Sequence, residues 1–169
     1  GASLSGASGA AFQLSNGGLV FTGQDLVHLQ AGGALSWAGS LASLASGATL
    51  TTGREVVHAA GGSTVTLSSD LVVADSATMN IGRDVARAVT GSAIVVDGGL
   101  LRFGNNDVFH LFGGSLATAL TDGLVLVTGP VFPSGGFGTG NSVGFVPPIG
   151  ATMIGGCCML GVKPNWPAL

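Results

Sequence analysis

Apolar and polar positions along this chain fall into a unit of fifteen residues, written eight times between Gly17 and Gly136. The units begin GGLVFTGQDLVHLQA (17–31), GGALSWAGSLASLAS (32–46), GATLTTGREVVHAAG (47–61) and GSTVTLSSDLVVADS (62–76), and run on to DGLVLVTGPVFPSGG (122–136). Each opens with an apolar pair at i, i+2: Leu19/Phe21, Leu35/Trp37, Val65/Leu67, Met79/Ile81, Ile94/Val96, Phe109/Leu111 and Leu124/Leu126, with Leu50/Thr52 a weaker version. That spacing has the period of a β-strand and sets both side chains on one face. A Gly- or Ser-bearing turn follows, as at Gly23, Gly39, Gly53 and Gly82. Glycine supplies positive φ there at little steric cost.

A second short apolar segment comes next. It starts on Leu26, Leu41, Val56, Leu71, Val85, Leu100, Leu116 and Val131, at successive separations of 15, 15, 15, 14, 15, 16 and 15 residues. Three residues on stand Leu29, Leu44, Ala59, Ala74, Ala88, Phe103 and Ala119, and the position between is mixed: His28, Ser43, His58, Val73, Arg87, Arg102, Thr118. The broken alternation predicts a bulge or kink that re-aims the strand. Just before it runs a polar column, Asp25, Ser40, Glu55, Asp70, Asp84 and Ser115, which reads as a solvated turn edge. One unit is then two strands and two turns, and it cannot bury its apolar face alone.

Residues 1–16 read as a degenerate first repeat, since Leu4 precedes Leu19 by 15 and Leu14 precedes Leu29 by 15. Residues 17–136 are the eight-repeat array, and 137–169 form a Gly/Pro-rich cap, small head or anchor without clear period. The array slips by one residue at Met79 and again near Leu116. Composition sharpens this picture. Charged residues make up 8% of the chain, against about 25% in ordinary soluble domains. There is no tyrosine, one lysine (Lys163), 31 glycines and a net charge of −3, so no basic stripe points to nucleic acid. No apolar run is long enough for a membrane-spanning helix. Cys157 and Cys158 are adjacent and alone, which reads as two idle thiols or an interchain disulfide.

Catalytic motifs are absent. TGSAIVVDGG (90–99) resembles the C-terminal strand signature of short-chain dehydrogenases, but the Tyr-x-x-x-Lys pair of that family has no counterpart in a chain without tyrosine. The expectation is no enzyme, no cofactor and no resident metal. His28 and His58 sit at the same unit position, two units apart, where a trimer would turn each into a ring of three. A metal or anion site is the sharp reading of that ring; groove-lining polar residues are the plain one. The eight acids read as scattered, one per unit. Thr49, Thr51, Thr52, Thr64 and Thr66 gather in two units only, which is short for an ice-binding array.

Two architectures suit such units: a single-chain β-solenoid, and an intertwined homotrimer in which three chains bury one apolar column together. The unit G-x-L-x-φ-x-G-x-x-L-x-x-φ, seen in GGLVFTGQDLVHLQA and GSTVTLSSDLVVADS, resembles the triple β-spiral shaft repeat of adenovirus fibres and the reovirus attachment protein. The resemblance covers about 120 residues. It implies an all-β, elongated homotrimeric shaft on a virion surface, supporting host-cell attachment. Its partners would be itself, a capsid protein at one end and a host receptor, with no nucleic acid and no membrane insertion. The implied trimer core is Leu19, Phe21, Leu26, Leu35, Trp37, Leu41, Leu50, Val56, Val65, Leu67, Leu71, Met79, Ile81, Val85, Ile94, Val96, Leu100, Phe109, Leu111, Leu116, Leu124 and Leu126. If each unit advances by a four-residue strand at about 3.3 Å per residue, eight units make a rod on the order of 100 Å. The alternative is a monomeric β-solenoid binding module, an adhesin passenger or an ice-binding protein.

Overall fold

The computed structural model describes residues 1–129 and the backbone of residues 142–145. The rest of the expected cap, including Cys157 and Cys158, lies outside the described residues, as does the end of the eighth unit. The chain is all-β, and its strands stack in parallel as a β-solenoid of about four turns. Among the described residues the strands are β1 (Ser3–Gly6), β2 (Phe12–Leu14), β3 (Leu19–Thr22), β4 (Val27–Leu29), β5 (Ala34–Trp37), β6 (Ala42–Ala45), β7 (Thr49–Thr52), β8 (Val57–Ala59), β9 (Thr64–Leu67), β10 (Val72–Asp75), β11 (Thr78–Ile81), β12 (Ala86–Val89), β13 (Ala93–Val96), β14 (Leu101–Phe103), β15 (Val108–Leu111), β16 (Ala117–Leu120), β17 (Leu124–Val127) and β18 (Ser142–Phe145). Through β17 every fourth strand joins the same sheet, giving β1-β5-β9-β13-β17, β2-β6-β10-β14, β3-β7-β11-β15 and β4-β8-β12-β16, and β18 adds to the third sheet beside β15.

The fifteen-residue unit is therefore half a turn. Strand partners stand about two units apart, as in Leu19↔Thr49 and Thr49↔Thr78 in the third sheet. This is the single-chain alternative of the two architectures. Each turn climbs only one strand spacing, about 4.8 Å, so four turns rise on the order of 20 Å. The 100 Å expectation fails because the units close into turns instead of advancing end to end.

Inward columns repeat through the stack. Leu35, Val65 and Ile94 lie in register in the first sheet, and Leu50, Met79 and Phe109 in the third; all are buried. Of the expected core, Leu41, Val56, Leu67, Leu71, Ile81, Val85, Val96, Leu100 and Leu111 are also buried within the one chain. Leu26, Trp37 and Leu116 are half-buried. Trp37 lies over Gly6, in register one turn back, where a Cβ would collide with the indole ring.

Four expected core residues point outward. Leu19 and Phe21 are 70% and 74% exposed, and Leu124 and Leu126 are about half exposed. The register gives the reason. Val20, not Leu19, pairs with Leu50, and Val125, not Leu124, pairs with Ile94. Both strands, LVFT and LVLV, are apolar on each face, so periodicity alone could not choose the inward one.

Two kinds of corner separate the sheets. After the second strand of a unit, most corners carry two successive positive-φ residues, as at Asn16-Gly17, Ala31-Gly32 and Ser46-Gly47. The Gly18 N–H donates to the Ser15 carbonyl at 3.0 Å, closing a four-residue turn. The turn between β10 and β11 is one residue shorter, with only Ser76 at positive φ, and accounts for the slip at Met79. The slip near Leu116 is one extra residue between β15 and β16, at Gly113-Gly114. After the first strand, glycines stack backbone on backbone: a Cβ on Gly53 would strike Gly23, and one on Gly82 would strike Gly53.

Candidate functional site: a charged corner

The corner joining the third sheet to the fourth carries GQDL (23–26), GREV (53–56) and GRDV (82–85) on successive turns. The aliphatic residue and the one after it both face inward, as with the fully buried Val56 and Val57. That is the kink expected from the broken alternation. The acid before it, Asp25, Glu55 or Asp84, is buried too. The solvated turn edge is therefore corrected at five of its six positions: Asp25, Ser40, Glu55, Asp70 and Asp84 are buried, and only Ser115 is exposed.

The acids are inside because the corner leaves backbone donors without partners. Asp25 Oδ1 accepts the Glu55 N–H at 3.1 Å, one turn on. Asp84 Oδ1 accepts the Ser115 N–H at 2.7 Å and the Thr118 hydroxyl at 3.0 Å. Across the solenoid, Asp70 Oδ1 accepts the Gly99 N–H at 2.7 Å. A carboxylate is a strong acceptor for an otherwise orphaned amide.

The acids are also not scattered. Three of the chain's eight gather here with three of its four arginines and two of its three histidines. Glu55 is fully buried. Arg54 Nε stands 3.2 Å from its Oε2, with Arg83 Nε at 3.6 Å and Arg87 Nε at 3.9 Å from its Oε1. Arg87 Nη1 also donates to Asp84 Oδ2 at 3.0 Å. Even so, burial and then the adjoining Asp25 push the Glu55 carboxyl up to about 7, with the arginines opposing. For Asp25, burial works to raise the pKa, but contacts with Glu55, Arg54 and His28 outweigh it and hold the carboxyl below its ordinary range.

His28 on β4 and His58 on β8 are register neighbours within one chain. Their ring centroids lie 4.5 Å apart. Nδ1 of His28 is 2.8 Å from Asp25 Oδ2 and Nδ1 of His58 is 3.4 Å from the same oxygen. The His58 side chain is nine-tenths buried, and neither of its nitrogens makes a hydrogen bond. Burial pushes its pKa down, which favours the neutral imidazole. One donor atom from each of Asp25, His28 and His58 falls within 4.8 Å of the others, a set able to hold a metal ion. His110 is elsewhere, on the third sheet, with Nδ1 3.1 Å from Asn80 Oδ1.

Sequence reasoning found the two histidines and missed their companions. The signal was a difference in period. Apolar residues recur every fifteen, but Asp25, Glu55 and Asp84 recur at 30 and 29, as do His28, His58 and Arg87. A polar period double the apolar one means that two units make one structural repeat. No family model, no curated protein and no solved structure matches this chain, so the corner stands on its own geometry.

Proposed function

We propose that this chain is a non-enzymatic β-solenoid module, a piece of an elongated surface structure of the adhesin-passenger kind that presents its outer faces for binding. The observation that carries the reading is the contrast between inside and outside. Inward columns are mostly apolar from turn to turn, with Thr52 a buried exception, while outward ones change freely: Thr51, Asn80 and His110 form one such column. A stack of this kind is a scaffold whose faces can vary without cost to its interior. At the corner Asp25 and Asp84 accept backbone amides and Arg87 donates to Asp84, which supports a structural role for these residues. Ice binding has little support, because the outward threonines Thr49 and Thr51 are flanked by Leu19 and Phe21 on one turn and by Thr78 and Asn80 on the next.

A second reading keeps the homotrimer and the virion shaft, with whole solenoids side by side. It is favoured by Leu19 and Phe21, large apolar side chains both more than two-thirds exposed on one face. Light scattering separates the two. The binding-module reading expects a monomer of 16.4 kDa that adheres saturably to cells or glycans. A stable trimer that dissociates when Phe21 is changed to Ser would replace it with the shaft.

A further inference from the structure

We propose that Asp25, His28 and His58 form a site for one divalent first-row cation, zinc by preference, that clips the first turn of the solenoid to the second. Two imidazoles and a carboxylate are the donor types that zinc takes, with a fourth position left to water.

The spacing suits the ion. Zinc bonds of about 2.0–2.1 Å in tetrahedral geometry place neighbouring donors about 3.3 Å apart. Asp25 Oδ2 stands 2.8 Å from one imidazole nitrogen and 3.4 Å from the other, so the donors bracket that separation. Asp25 is already oriented. Its Oδ1 takes the Glu55 N–H and faces Arg54 Nε at 3.8 Å, which leaves Oδ2 for the two histidines. Ligating carboxylates are commonly steadied by outer hydrogen bonds in this way.

His58 supplies the independent sign. A buried polar side chain ordinarily has a hydrogen-bond partner. Here both imidazole nitrogens lack one, in a side chain nine-tenths buried and set against the Asp25 carboxylate. A cation between them gives that imidazole its missing partner. His28, with 39% of its side chain exposed, leaves a path from solvent.

The position gives the ion a purpose. Asp25 and His28 belong to the first turn and His58 to the second. Leu4 and Phe12 of the first turn, in register with the buried Leu35 and Ala42, are exposed in this structure. A metal held by both turns raises the stability of the first by mass action.

The test uses the full chain with Cys157→Ser and Cys158→Ser, which removes thiols that also take zinc. Chelator-stripped protein is dialysed against zinc, and separately against cobalt(II) for its visible spectrum. The expected result is one ion per chain, cobalt bands of a four-coordinate nitrogen/oxygen site, and a higher thermal midpoint with zinc. His28→Gln and His58→Gln should each weaken binding at least tenfold, and His110→Gln should not. His28 is exposed enough for its variant to keep the fold, which circular dichroism checks. Failure to bind one equivalent, or binding unchanged in both His28→Gln and His58→Gln, overturns the proposal.

Discussion

The solenoid has two corners of the same topology and very different chemistry. At one, between the first and second sheets, the positions before the inward aliphatics Leu41, Leu71 and Leu100 are Ser40, Asp70 and Gly99. At the other, before Leu26, Val56 and Val85, they are Asp25, Glu55 and Asp84. Both corners need an acceptor for the next turn's amide, and Asp70 and Asp84 provide one in the same manner. At the plain corner only Asp70 is an acid at that position, with Arg102 Nε at 2.7 Å from it. The charged corner stacks acids on three successive turns, and Glu55 is one methylene longer than its neighbours. Its carboxyl reaches past the amide into a buried space shared with Asp25. Three arginines then gather around it, because an unpaired buried carboxylate is costly. Acids at a corner are thus a backbone device, and their accumulation on one side is what makes a site.

The largest effect should show what the corners have in common. Leu71→Asp at the plain corner and Val56→Asp at the charged one both bury a charge at a position with no exposure. Each should abolish the folded state, seen as loss of the β circular-dichroism signal and of a cooperative melt. Survival of either would mean that its corner does not close over the interior.

A smaller effect should separate them. Asp84→Ala removes the acceptor for Ser115 and Thr118 and the partner of Arg87. It should cost about 3 kcal/mol in denaturant unfolding, while Asp70→Ala, which strands one amide and an exposed arginine, should cost about 1–2 kcal/mol. Equal costs would show that the arginine cluster adds nothing.

The subtlest difference is in pH. A pKa raised from 4.5 to about 7 means that the fold favours protonated Glu55. Its contribution is therefore fully present below about pH 4.5 and is lost as pH rises through 7. Glutamine cannot ionise, so chelator-treated Glu55→Gln should match the parent near pH 4.5 and exceed it at pH 8 by up to about 3 kcal/mol. The opposite effect of buried His58, whose contribution is lost as pH falls through its ordinary range, is common to both proteins and cancels in their difference. A constant gap across that range would contradict the placement of Glu55.

The sequence disclosed the strands well and their assembly poorly. Strand positions, turns, the kink at the second strand and both phase slips follow from apolar periodicity, because side-chain alternation is local. Whether units close into turns or run along a shared axis depends on pairing thirty residues away, which a fifteen-residue pattern leaves open. The outward Leu19 and Phe21 show the same limit on a smaller scale, since a strand apolar on both faces does not declare its inner one. The acids at the corners were misread for another reason. A carboxylate beside a glycine turn looks solvated until the neighbouring turn's amide is placed against it. Only the doubled period of Asp25, Glu55 and Asp84 marked them as partners.

The claim on which all of this rests is that chain segments about thirty residues apart lie side by side in one molecule. Spin labels on Ser36 and Thr66 test it most directly, in a chain whose two cysteines are replaced and which is diluted with unlabelled protein. The two positions are outward-facing register partners in β5 and β9. The solenoid places their backbones about 4.8 Å apart, so strong dipolar broadening should appear and persist on dilution. A spiral shaft would separate them by two units, roughly 26 Å at about 3.3 Å per residue over two four-residue strands. An unbroadened spectrum would contradict the solenoid.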